Sequence, residues 1–325
     1  MKRIVSFMLV LVMLLGVLGG CSRPDDTKKE AEDVVEDAVE ATGKEDGDIV
    51  IGISVFTRTH VFYNRVEEAM SKKCEEMGVE AIFVDADTDS EKQFSQVQDF
   101  VTQGVDAIVV MPVSTAGSKS YVDLADKAGI PILTAFTKSD GEVLCHFGTD
   151  ENVGGKLAGE LIEKALPDGG DIAIITYDDV ENCVLRAEGC KEYLKANCPD
   201  VKVVDEQNYQ GDAEKASAIT QDLLVKYPDL DLIFAVGDPA AMSAYTIING
   251  AGEDIKVVGY DGNPEALAEI VKDGNWIADI AQDPEGIGEA MIEMAVKTVN
   301  GEEVPKEKYI EPYIIDTENV KEYLK

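Results

Sequence analysis

The chain has 325 residues, 45% of them hydrophobic and 29% charged, and its formal net charge is −35 at pH 7. That length exceeds one typical core and suits two lobes of roughly 100 to 150 residues each. So acidic a chain repels nucleic acid and anionic lipid, and it disfavours anionic ligands unless a local basic pocket exists.

The amino terminus reads as an address: Lys2 and Arg3, an apolar run over 4–20 broken only by Ser6, then Leu18-Gly19-Gly20-Cys21. Small residues before a cysteine resemble the lipobox of bacterial lipoproteins, with Cys21 as the lipidated first residue and membrane attachment through that lipid. Removing residues 1–20 takes the formal charge from −35 to −37. Residues 21–47, rich in Asp, Glu, Lys and Thr, cannot bury enough apolar surface to offset ordering entropy and are expected to act as a disordered tether. Five cysteines remain, at 74, 145, 183, 190 and 198, with no metal-type CxxC pair; buried thiols are the expectation.

From residue 49 the pattern alternates. The near-continuous apolar run of Ile49, Val50, Ile51, Ile53 and Val55 predicts a parallel strand covered on both faces. A polar turn over 56–60 follows, then helical spacing of Phe62, Val66, Ala69, Met70, Cys74 and Met77 ending at Gly78. Strands are expected at 81–84, 105–111, 131–135 and 143–147. Ser90 with Gln93 reads as a capping box opening a helix striped by Phe94, Val97 and Val101. A helix over 115–128 should bury Tyr121, Leu124, Ala125 and Ala128. The plan then repeats: a helix striped by Val153, Leu157, Ala158, Leu161, Ile162 and Ala165, strands at 172–176, 201–204, 231–236 and 255–259, and helices at 182–196, 212–226 and 239–249. Such alternation marks βαβ units and parallel sheets, here two in succession.

Three pairs, Asp238-Pro239, Asn263-Pro264 and Asp283-Pro284, suit an N-cap followed by Pro in the first turn. Ligands of open α/β sheets bind beyond the carboxyl ends of the strands. That edge collects His60, Phe62, Tyr63, Asp238, Asp261 and Gln282, with Arg58, Tyr177, Asp178 and Asn182 as weaker candidates. Helical spacing alone also allows Phe62 and Tyr63 to be core residues, and Asp261 before Gly262 to be a turn residue.

Catalytic patterns are lacking. No GxSxG elbow occurs, and His60 and His146 are the only histidines. Residues 152–157, NVGGKL, lack the upstream Gly and the Ser or Thr of a phosphate loop. Residues 85–90, DADTDS, begin like a calcium loop but carry Ser90 where Gly is needed and Gln96 at the twelfth position. No enzyme activity, cofactor or metal is expected.

The segments IAIIT, Arg186-Ala187-Glu188-Gly189, LIFAVGD, VVGYDGNPEA and IADIAQDPEGIGEAM resemble the periplasmic sugar-binding proteins of the ribose-binding type, the type I solute receptors of ABC importers. The resemblance spans nearly all of 48–325. It implies an α/β fold of two Rossmann-like lobes with parallel sheets, 48–150 plus 283–311 and 151–282 plus 312–325, joined by a three-strand hinge and closing on a small polar ligand. The sugar-sandwiching aromatics fall on Phe62 and Tyr63, the polar residue before them on His60, the acid on Asp261 and the hinge-side amide on Gln282. Arg186 matches an arginine common in the family. Where ribose-type members carry an Asp-Arg pair this chain has Phe136-Thr137; a second arginine is replaced by Val184, and Gly237 stands for Asn. Losing those planar, multi-donor groups weighs against ribose itself.

The function so implied is an extracytoplasmic, monomeric, lipid-anchored receptor delivering a neutral sugar or polyol to an ABC permease, with no role in nucleic-acid binding. A cationic or nucleoside-like ligand, held by carboxylates and aromatics, is the alternative. So is a sensory receptor serving a membrane kinase or chemoreceptor.

Overall fold

A computed structural model describes residues 49–324. The expectations for the leader, Cys21 and the tether lie outside the described residues.

Among the described residues, twelve strands and nine α-helices alternate. The first half comprises β1 (Val50–Val55), α1 (Val61–Met77), β2 (Glu80–Asp85), α2 (Ser90–Gln103), β3 (Ala107–Val110), α3 (Thr115–Ala128), β4 (Ile132–Ala135) and β5 (Cys145–Thr149). The second comprises α4 (Glu151–Ala165), β6 (Gly170–Thr176), α5 (Glu181–Asn197), β7 (Val201–Asn208), α6 (Ala213–Lys226), β8 (Leu230–Ala235), α7 (Asp238–Ala251), β9 (Lys256–Asp261), α8 (Pro264–Ile270) and β10 (Trp276–Ala281). Then α9 (Pro284–Val299) and β11 (Glu307–Ile310) return to the first lobe, and β12 (Tyr313–Asp316) ends in the second.

Two six-stranded sheets result, ordered β11-β5-β4-β3-β1-β2 and β12-β10-β9-β8-β6-β7. Every pairing is parallel except β10 with β12. The central strands are sealed on both faces, as their unbroken apolar runs require; Ile51, Ile53 and Val55 are fully buried. The chain passes between lobes three times, at 149–151, 281–284 and 310–313, which is the expected three-strand hinge. Gly78 ends α1 at φ 68°, the left-handed position that glycine occupies without steric cost.

The sequence misplaces several local contacts. Asp89, not Ser90, caps α2, accepting from the Glu91 and Lys92 amides, and it thereby occupies one carboxylate of the calcium-like segment. Gln93 is drawn inward instead, donating to Met111 O at 2.9 Å and accepting from Val113 N at 2.9 Å, because a buried amide between two strand ends meets both of its needs there. The α3 core face is Ser118, Tyr121, Val122 and Ala125; Ala128 is exposed and Leu124 half-buried. Of the three Asp/Asn-Pro pairs, only Asp283 caps through its side chain. Asp238 falls one position inside α7, after the capping Gly237, and its carboxylate accepts from Asn263 N. The five cysteines at 74, 145, 183, 190 and 198 are all free and buried.

Candidate functional site

The turn between β1 and α1 builds one wall of a cavity between the lobes. His60 caps α1: its Nδ1 accepts from Phe62 N at 3.2 Å, so the ring proton sits on Nε2, which lies 3.9 Å from Asp261 Oδ2 in the other lobe. Behind it Phe56 stacks on Tyr63 at 4.9 Å, and Phe62 stands edge-on to Tyr63 at 5.4 Å. Phe136, at the end of β4, crosses both at 5.2 and 5.7 Å with a left-handed φ of 65°. Edge-to-face packing is the geometry that aromatic quadrupoles favour. Burial, with Cys183 and Asp261 adding to it, pushes the Tyr63 hydroxyl up, so it stays neutral.

The opposite wall is polar and belongs to the second lobe. Asp261 ends β9 at φ 122°, a conformation that side-chain-bearing residues rarely adopt and that its neighbours must hold in place. Its Oδ1 accepts from Gln282 Nε2 at 2.7 Å and Arg186 Nη1 at 3.2 Å. Gln282 in turn accepts from Thr149 Oγ1 at 2.6 Å, tying this wall to the first lobe at the hinge. Arg186 lies 3.8 Å above the Tyr260 ring and forks onto Glu151 through Nε at 2.8 Å and Nη2 at 3.0 Å. Glu151 also accepts from Asn182 Nδ2 and the Tyr260 hydroxyl. Burial alone would lower the basicity of Arg186, but Glu151 and Tyr260 outweigh it and keep the guanidinium charged.

These groups enclose a cavity of about 70 Å³, room for roughly five waters. Its architecture is two-faced: rings able to cover an apolar C–H face on one side, and an acid, an amide and a guanidinium able to fix hydroxyls on the other. With Arg186 opposed by both Glu151 and Asp261, the ionised side chains sum to −1.

The periplasmic binding protein domain model matches residues 51–303. The chain belongs to that family. It is 32% identical to the ribose import binding protein of Bacillus subtilis over 94% of this chain and 96% of that protein, and 29% identical to the Escherichia coli one over 78% and 86%. Among solved structures, an ABC transporter solute-binding protein from Bacillus halodurans with bound myo-inositol superposes with a TM-score of 0.80 at 31% identity, covering 87% of this chain and 99% of that one. One from Actinobacillus succinogenes with bound D-allose gives 0.81 at 28%, covering 85% and 100%. These relatives are solute-binding proteins and not enzymes.

Within this member of the family, His60, Phe62, Tyr63, Phe136, Thr137, Tyr177, Asn182, Arg186, Asp261 and Gln282 all line the cavity. Three expected site residues do not. Asp238 is turned away into the second lobe, since its carboxylate is taken by Asn263 N. Arg58 faces solvent, where Glu67 captures it at 2.6 Å, and Asp178 is exposed. Phe56, Val180, Cys183 and Tyr209 line the cavity unannounced by the sequence. Tyr209 arrives from the far end of β7 and packs 5.3 Å from Tyr177, a pairing no local pattern signals. Burial pushes the Cys183 thiol up to about 12, so it remains a poor nucleophile. Iodoacetamide at pH 7.5 is expected to leave it unmodified in the folded protein; labelling within minutes without unfolding would contradict this.

Proposed function

We propose that this chain is the solute receptor of an ABC importer, anchored outside the cytoplasm by lipid on Cys21, and that it captures a neutral sugar or cyclic polyol between its lobes. One observation carries the reading: the aromatic wall of Phe62, Tyr63 and Phe136 and the polar wall of Asp261, Gln282 and Arg186 line one cavity between the lobes. Closure is then ligand-driven, because both lobes touch the solute only when shut. The curated relatives named for ribose import and the solved relatives holding myo-inositol and D-allose support the same class. Phe136 and Thr137 make the first-lobe wall more apolar than an Asp-Arg pair would, which favours a ligand presenting one largely hydrocarbon face.

Calorimetry of the purified protein against D-ribose, D-allose, myo-inositol and glycerol tests this directly. At least one is expected to bind, whereas D-gluconate and sugar phosphates are expected to give no heat, since the net −1 of the site repels them. Phe62→Ala should weaken the binding that is found by about 1 to 2 kcal/mol, the contribution of one aromatic face. Silence across the whole neutral panel would refute the ligand class. A second arm uses amine-bearing polyols, because Asp261 Oδ2 has its nearest described basic group, His60 Nε2, 3.9 Å away and six phenyl or phenol rings, including Tyr177 and Tyr209, line the same cavity.

A further inference from the structure

Behind the ligand wall, the second lobe contains an unusual concentration of unsatisfied polarity. Six buried side-chain N or O atoms among the described residues have no hydrogen-bond partner, and five of them belong to Asp238, Asn263, Trp276 and Asp279. Native interiors leave few such atoms, and each calls for an explanation. Asp279 is fully buried in the middle of β10, opposite Gly259 in β9. Asp238 enters from the start of α7 with its carboxyl within hydrogen-bond reach of the Asp279 carboxyl. Gly259 leaves the room: a Cβ there would stand 2.9 Å from Asp238 Oδ1 and 2.8 Å from Trp276 Cζ2.

Two carboxylates in contact inside the second lobe leave Asp238 Oδ1 and both Asp279 oxygens without a well-aligned donor, the Gly262 and Ile280 amides approaching Asp279 only in poor geometry, and they repel each other. One proton converts an acceptor into a donor and removes a charge. We propose that Asp238 and Asp279 share a bound proton, and that its release loosens the 261–263 loop that presents Asp261 to the cavity. The link is short: Asp238 Oδ2 accepts from Asn263 N at 2.8 Å, and Gly262 O accepts from Arg65 Nη1 of the other lobe at 3.1 Å. When the O–H bond breaks and the proton leaves to solvent, two like charges separate, and Asp238 moves with the Asn263 amide that it holds.

The surrounding groups favour the protonated form. Asp261 faces the pair from the end of β9, Glu265 and His60 lie across the groove beside Asp238, and Tyr245 packs on Trp276. Arg186 is engaged by Glu151, Val236 O and Asp261. Burial and then the Asp261 charge push the Asp279 carboxyl up, outweighing the hydrogen bonds to Asp238 and to the Gly262 and Ile280 amides that favour its ionised form, and burial with Asp279 raises Asp238 well above the carboxylate range. The folded pair therefore keeps at pH 7 a proton that unfolded carboxyls have surrendered. Stability falls as pH climbs above about 4, where unfolded carboxyls ionise, and goes on falling until the folded pair is fully ionised.

Trp276 is the only tryptophan in the chain, so its fluorescence reports on this place alone. The purified full chain is titrated from pH 6 to 9.5 by tryptophan emission and by melting temperature, alongside Asp279→Asn. Wild type is expected to show one sigmoidal change in emission and a falling Tm. Asp279→Asn should show neither and should melt about 5 °C or more above wild type at pH 9. Exchange of amides in 256–270, corrected for intrinsic rates, should rise at pH 9.5 in wild type only. Should Asp279→Asn fail to fold, Asp238→Asn serves, with the same expectations. Overlapping wild-type and variant curves would overturn the shared proton. So would a transition displaced by sodium, potassium or calcium, which would make the pair a cation site.

Discussion

Glu151→Ala is expected to destabilise the protein by about 3 to 5 kcal/mol in guanidinium unfolding at pH 7 and to abolish solute binding. The carboxylate is 4% exposed and receives Arg186 twice, Asn182 and Tyr260. Alanine leaves the guanidinium buried with Asp261 and Val236 O as its only protein acceptors, and it frees Asn182 and Arg186 to leave their places on the cavity wall. Glu151→Gln, which keeps the shape and loses the charge, should fall between alanine and wild type in both measurements. A loss below about 1 kcal/mol for Glu151→Ala would show that Arg186 does not depend on this carboxylate.

The second large effect belongs to a glycine. In Gly155→Ala the new methyl would stand 2.5 Å from Arg186 O, 2.9 Å from Gly189 Cα and 3.0 Å from Cys190 N. All three are backbone atoms, so no rotamer change relieves the collision, and α4 and α5 must move apart. A loss of about 3 kcal/mol is expected, at the upper end for overpacking, together with weaker solute binding, because Arg186 rides on α5 and Glu151 on α4. Circular dichroism melts and calorimetry of this variant measure the two effects. Unchanged stability would mean that the helices have slack which the close contact denies.

The same helix contact explains one failure of sequence reading. A hydrophobic stripe of Val153, Leu157, Ala158, Leu161 and Ile162 is legible in α4, yet Val153 and Leu157 are only half-buried. The buried face is Gly154, Gly155, Ala158, Gly159, Leu161 and Ile162, because glycines let the α5 backbone approach and that packing turns the helix. Asp238 misled similarly. Its place before a proline reads as a cap, but a tertiary partner, Asn263 N, claims the carboxylate. Asp279 sits in the run IADIAQ, which reads as an ordinary strand; nothing local says that a second acid from another element meets it.

The order of strands and helices, the sealed central strands and the glycine helix stops follow from periodicity and backbone sterics, which act over a few residues and are written in neighbouring letters. His60, Phe62, Tyr63, Asp261 and Gln282 were legible because they follow strand ends, and in such sheets strand ends share one edge. What the folded chain alone decided is which side chain meets which across long sequence separation: Glu151 under Arg186, Tyr209 beside Tyr177, Asp238 against Asp279. Those meetings depend on the positions of whole helices, set by packing density and by buried polar groups that need partners, and no short stretch of sequence contains them.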